Sequence, residues 1–140
     1  MAGVEIVISF TVLPFYAQIW LFDSTTKNIP EMGEELGRVV ANENVVMIFT
    51  QPDTDGDVEV SVGSTNDDTS GTLIYRGKMN FLSGVARVGS IAAADLYDIN
   101  LNQNKDVYVA IYASSLESPS KIEILFSSDN TIKSIERVVL

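Results

Sequence analysis

PDTDGDVEVSVGST, residues 52–65, is the stretch on which the reading of the fold turns. Val58, Val60 and Val62 point one way while Asp57, Glu59 and Ser61 point the other, the period of two that marks a strand with one face buried. Asp55-Gly56, just ahead, is a hairpin-type turn signal. The same alternation recurs on both sides of this stretch. Upstream, Val4, Ile6, Ile8, Phe10 and Val12 share one face of a first strand, with Glu5, Ser9 and Thr11 mostly opposite. After Pro14, the segment Phe15 to Phe22 is apolar on both faces, as expected of a strand covered on both sides or lying at an interface. Downstream, TLIYRGKMNFL (72–82), GVARVGSI (84–91), DLYDINL (95–101), VYVAIYA (107–113), KIEILFSS (121–128) and IKSIERVVL (132–140) follow one another with turn-rich breaks between them.

Short strands at this spacing, with almost no helix, predict an all-β chain: an antiparallel β-sandwich of eight to nine strands. The exception is EMGEELGRVVANEN (31–44), where at most one short helix is expected near 31–41, because Gly33 and Gly37 each weaken a helix by about 1 kcal/mol. At 140 residues, with no repeat and no linker, the sequence reads as a single domain spanning 1–140. Residues 4–22 are apolar enough to suggest a membrane anchor. Glu5, Pro14, the lack of a basic residue before Lys27 and the β-branched composition argue instead for two buried strands.

Composition narrows the chemistry. The chain has no Cys and no His, which removes disulfides, thiolate nucleophiles, serine triads of the usual form and histidine-ligated transition metals. A net charge of −10 disfavours direct binding to nucleic-acid phosphates or an anionic membrane, since both are recognised by Lys and Arg. A basic protein partner fits better, and the cysteine-free composition points to the cytoplasm.

The charge is concentrated. Residues 28–70 hold ten of the nineteen carboxylates and a single base, Arg38, so they carry −9 of the −10. Glu31, Glu34 and Glu35 are explained by a helix N-terminus, whose dipole favours them. Asp53, Asp55, Asp57, Glu59, Asp67 and Asp68 form the candidate partner-binding surface. The alternating spacing from Asp53 also resembles a calcium loop, with Asp53, Asp55, Asp57, Asp67 and Asp68 as ligands in a C2-like binding module. The match to an EF-hand fails, because the glycine falls at the fourth position and the twelfth is Ser64. An ordinary acidic turn explains the same residues without any ligand.

No catalytic pair stands out. Asp95 shares a face with Tyr97 and Ile99 while Asp98 points opposite, so the two do not face each other across a cleft, and the protein reads as a non-enzyme without a resident cofactor. Tyr16, Trp20 and Phe22 fall on one strand face with Gln18, a stripe expected to belong to the core rather than to a binding site. Arg76 and Lys78 are expected to pair with Asp57 or Glu59 across the sheet. A third reading, a self-assembling structural subunit, would rest on the apolar N-terminal strands.

The run GVARVGSIAAADLYDINLNQNKDVYVAIYASS (84–115) resembles the later half of the competence-protein-J family of nuclease inhibitors. The shared pattern is a Gly, alternating small apolar residues, a Ser, a strand with Tyr97, Ile99 and Leu101, a turn, and a strand opening at Val107-Tyr108. The early ISF (8–10) is similarly placed. The resemblance covers about a third of the chain and implies a small β-rich protein that inhibits a DNA-degrading enzyme by binding it. It assigns no inhibitory residue. An acidic inhibitor competing for a phosphate-attracting basic cleft agrees with the charge pattern.

Overall fold

The computed structural model describes residues 4–29, 39–65, 71–90, 95–126 and 131–138. Among them are eleven strands: β1 (Val4–Val12), β2 (Gln18–Asp23), β3 (Val39–Ala41), β4 (Val45–Phe49), β5 (Val58–Thr65), β6 (Thr72–Met79), β7 (Val85–Ser90), β8 (Asp95–Leu101), β9 (Val107–Ala113), β10 (Lys121–Phe126) and β11 (Ile132–Arg137). They form two sheets, β1-β5-β10-β9-β6 and β11-β8-β7-β2-β4-β3. The protein is an all-β sandwich, with more strands than the eight to nine expected.

Two details depart from the sequence reading. The helix expected near 31–41 falls largely on residues outside the described set, and its last three positions, Val39–Ala41, form β3 against β4, with Val39 opposite Ile48. Valine branching at the β-carbon suits an edge strand better than a helix end. The second departure is that β5 and β10 run parallel, with Val60 opposite Ile122 and Val62 opposite Ile124, whereas the other pairings described are antiparallel. Such a pair cannot be closed by a tight turn. It forms here because β5 pairs with the N-terminal strand on one side and with a hairpin from the far end of the chain on the other.

The inward faces follow the alternation of the sequence. Val58, Val60 and Val62 of β5, Ile122 and Ile124 of β10, and Val109 and Ile111 of β9 meet Ile19 and Leu21 of β2, Ile48 of β4 and Val88 of β7. Each such side chain contributes about 1.5 to 3 kcal/mol through the apolar surface it removes from water. Strand β2 is covered on both faces, as its unbroken apolar run predicts. Its outward Phe22 joins Val45, Met47 and Leu96 in a second buried cluster, with Trp20 packed at its margin. Two of the three aromatic stripe residues therefore serve packing.

The two ends of the sandwich are finished differently. At the end reached by the C-terminus of β2, the carboxylate of buried Asp23 accepts hydrogen bonds from the Ser83 backbone N–H and hydroxyl and from the Thr25 hydroxyl. Asn42, Asn44, Asn28 and Asn80 bind one another's side chains and backbones between the loops there. This end is closed by its own polar groups. The opposite end carries the acidic turn.

Candidate partner-binding site

Strand β4 ends at Phe49, and the chain passes through Thr50 and Gln51 into a single 3-10 turn, Asp53–Asp55, before entering β5. Gly56 allows the exit with φ of 112°, a conformation that a side chain would strain. Gln51 organises the turn from inside. Its side-chain amide donates toward the carbonyls of Asp57 at 3.1 Å, Gly56 at 3.3 Å and Asp55 at 3.4 Å. With those carbonyls turned inward, Asp53, Asp55 and Asp57 stand exposed, and no ion pair or hydrogen bond among the described residues engages their carboxylates.

Glu59 is placed differently from its neighbours. It lies on the outer face of β5, beside Thr11 and Lys121, and its carboxylate sits 3.6 Å from the Lys121 ammonium. Both groups are well exposed, so the pair is worth tenths of a kcal/mol and partly offsets one charge of the surface. Asp67 and Asp68 lie outside the described residues, as do Glu31, Glu34 and Glu35. Among the described residues no group of three or more carboxylates is placed to hold a metal ion.

The basic residues take other partners than expected. Strands β10 and β9 separate β6 from β5, so Arg76 and Lys78 cannot pair with Asp57 or Glu59. Arg76 donates to the Tyr112 hydroxyl at 3.4 Å, and the Lys78 ammonium lies 5.9 Å from the centre of the Tyr108 ring. Arg87 makes a two-point contact with Asp98 on the neighbouring strand, at 2.7 and 3.1 Å. The Asp98 hydrogen bond and charge raise the Arg87 pKa against the opposing effect of burial. Asp98 is thereby committed to structure, and Asp95 accepts a hydrogen bond from the Leu13 N–H at 3.0 Å.

Next to the acidic turn lies a feature that the strand periodicity concealed. Residues 13–17 arch from β1 in one sheet to β2 in the other, and they close as a two-residue turn in which Phe15 and Gln18 exchange backbone hydrogen bonds of 3.2 Å. Tyr16 and Ala17 hold φ of 53° and 56°, and Tyr16 is 81% exposed. The sequence reading put Tyr16 in the core stripe; the turn takes it out, because the strand begins only at Gln18. The Thr50 N–H, at the root of the acidic turn, donates to the Ala17 carbonyl at 2.8 Å. Pro14 was the one local cue that the chain changes direction here.

Comparison with protein-family models and with curated protein sequences finds no match. The fold, by contrast, is shared with that of a solved inhibitor protein. That protein is ComJ from Bacillus subtilis, described as an inhibitor of the DNA-degrading activity of NucA; the likeness has a TM-score of 0.61 over 91% of this chain and 99% of that one, at 11% sequence identity. It is a likeness of fold. It spans well beyond the run 84–115, which here forms β7, β8 and β9. No helix among the described residues is long and apolar enough to cross a membrane.

Proposed function

We propose that this protein is a non-enzymatic inhibitor, of the inhibitor or immunity type, that binds the basic cleft of a DNA-degrading enzyme. The observation that carries the reading is the set of exposed carboxylates, Asp53, Asp55 and Asp57, which no other described residue engages, at one end of a fold shared with a nuclease inhibitor. Glu59 borders that set; Asp67 and Asp68, read from the sequence as part of the same surface, lie outside the described residues. A nuclease cleft is built to attract phosphate, so a cluster of carboxylates competes for the same cations and is steered toward them over a distance set by ionic strength.

The test uses a NucA-type nuclease from the organism that makes this chain. The protein should suppress DNA degradation in a purified mixture, and the association rate should fall about tenfold or more between about 0.02 and 0.5 M salt. Replacing Asp53, Asp55 and Asp57 together by Asn should slow association several-fold with little change in melting temperature. An association rate flat across that salt range would overturn the electrostatic mechanism. Undiminished DNA degradation with saturating protein would overturn the inhibitor reading.

A further inference from the structure

The carboxylates account for attraction and not for a firm hold, because exposed charges contribute more to the rate of encounter than to the lifetime of a complex. Lifetime is set by a few well-buried contacts, most often made by Trp, Tyr or Arg. At the acidic end of the sandwich the arch supplies such groups in the open. Tyr16 is 81% exposed, Phe15 44% and Leu13 40%, and the Phe15 and Tyr16 rings brace each other edge to face at 4.4 Å. The arch is fastened at both feet: at Leu13 by the Asp95 carboxylate, at Ala17 by the N–H of buried Thr50. The second fastening places it beside the turn that carries Asp53 and Asp55.

We propose that the arch Leu13–Ala17 is the apolar anchor of the inhibitory surface, with the Tyr16 ring buried in the nuclease and the carboxylates of Asp53, Asp55 and Asp57 meeting basic side chains around it. This rests on the inhibitor reading and locates its centre. Charge complementarity selects the occupant. A second copy of this chain would bring two unengaged acidic turns toward each other, and an anionic membrane would be repelled by the same turn. A basic cleft offers cations for the rim and an apolar or aromatic floor for the ring. Because both feet of the arch are tied, little order is lost when Tyr16 is buried.

The experiment measures equilibrium and dissociation constants of the full-length protein with the same NucA-type nuclease. Tyr16→Asn keeps a residue that tolerates the left-handed backbone while removing the ring. It should weaken binding about thirtyfold, mainly through faster dissociation, with an unchanged salt dependence of association. Its melting temperature should be no lower than that of the native chain, and Ala17→Gly serves as a second check that the turn itself survives. Tyr108→Ala, on an exposed tyrosine of the outer sheet face, should leave affinity unaltered. If Tyr16→Asn binds within twofold of the native protein, the arch is not the anchor, although inhibition by the native chain would leave the broader reading standing. If the native chain does not inhibit, both fall. A concentration-dependent dimer abolished by Tyr16→Asn would assign the arch to a second copy and overturn the proposal.

Discussion

Tyr75 lies half-buried on β6, packed against the main core, and its hydroxyl reaches over Gly77, where an added Cβ would come within 2.9 Å of it. Burial raises the Tyr75 pKa above its ordinary value, because the phenolate would lose its water. The folded state therefore retains this proton to higher pH than the unfolded chain does. Stability from this group is full below about pH 10 and is lost as pH climbs through the raised pKa. Melting curves between about pH 9 and 11.5 should show this loss, and Tyr75→Phe should flatten that part of the profile relative to the native protein. Tyr16 and Ala17 pose a different problem. Each L residue in the left-handed region costs about 1 to 2 kcal/mol, where an Asn-Gly pair would sit without strain. The exposed position of Tyr16 gives that cost no return in core packing, which is consistent with a return in binding.

Among the elements, β7 and β8 depend most narrowly on one residue. Gly89 pairs with Leu96 at φ of 136°, and a Cβ there would collide with the Asp95 carbonyl oxygen. That oxygen is backbone and cannot swing aside. Gly89→Ala should cost about 3 kcal/mol or more, read from denaturant unfolding midpoints, and because Asp95 also holds Leu13 the arch should loosen with it. The same elements show what periodicity can reveal. The core of β5 was legible because strict alternation ties each side chain to a face, whereas VYVAIYA (107–113) reads as apolar on both faces and yet leaves Tyr108 exposed in β9. The double covering of β2 was legible because its apolar run has no polar face. Partner choice between strands was not legible: nothing in Arg76 or Lys78 says that β9 and β10 will intervene before β5. Nor was the arch, since PFYAQ carries no Asn-Gly or Gly to announce a turn, and Phe, Tyr and Ala fit a strand equally well by residue type.

At the scale of the molecule, charge and stability are kept apart. The groups that close one end are hydrogen-bonded to one another around buried Asp23 and Asn44, whereas Asp53, Asp55 and Asp57 lie beyond the end of β4 and are exposed. Their removal should therefore change association without changing the fold, which is the basis of the triple replacement. Their visibility in the sequence came from their density alone; the freedom of these three and the engagement of Glu59 required the register of β5 against β10. The architecture also sets a speed. Two pairings of the first sheet join residues 4–12 to 58–65, and 58–65 to 121–126, so much of it is non-local. Refolding from denaturant, followed by Trp20 fluorescence, should take milliseconds to seconds rather than microseconds.

The parallel seam between β5 and β10 also has a consequence for biosynthesis. The acidic turn feeds directly into β5, and β5 lacks one of its two neighbours until Lys121–Phe126 has left the ribosome. A nascent chain that has already released its aromatic arch and acidic turn still has no finished platform beneath them. Translation thus completes the support of the proposed binding surface late, and a chain ending before Lys121–Phe126 would carry the carboxylates without the β10 partner of β5.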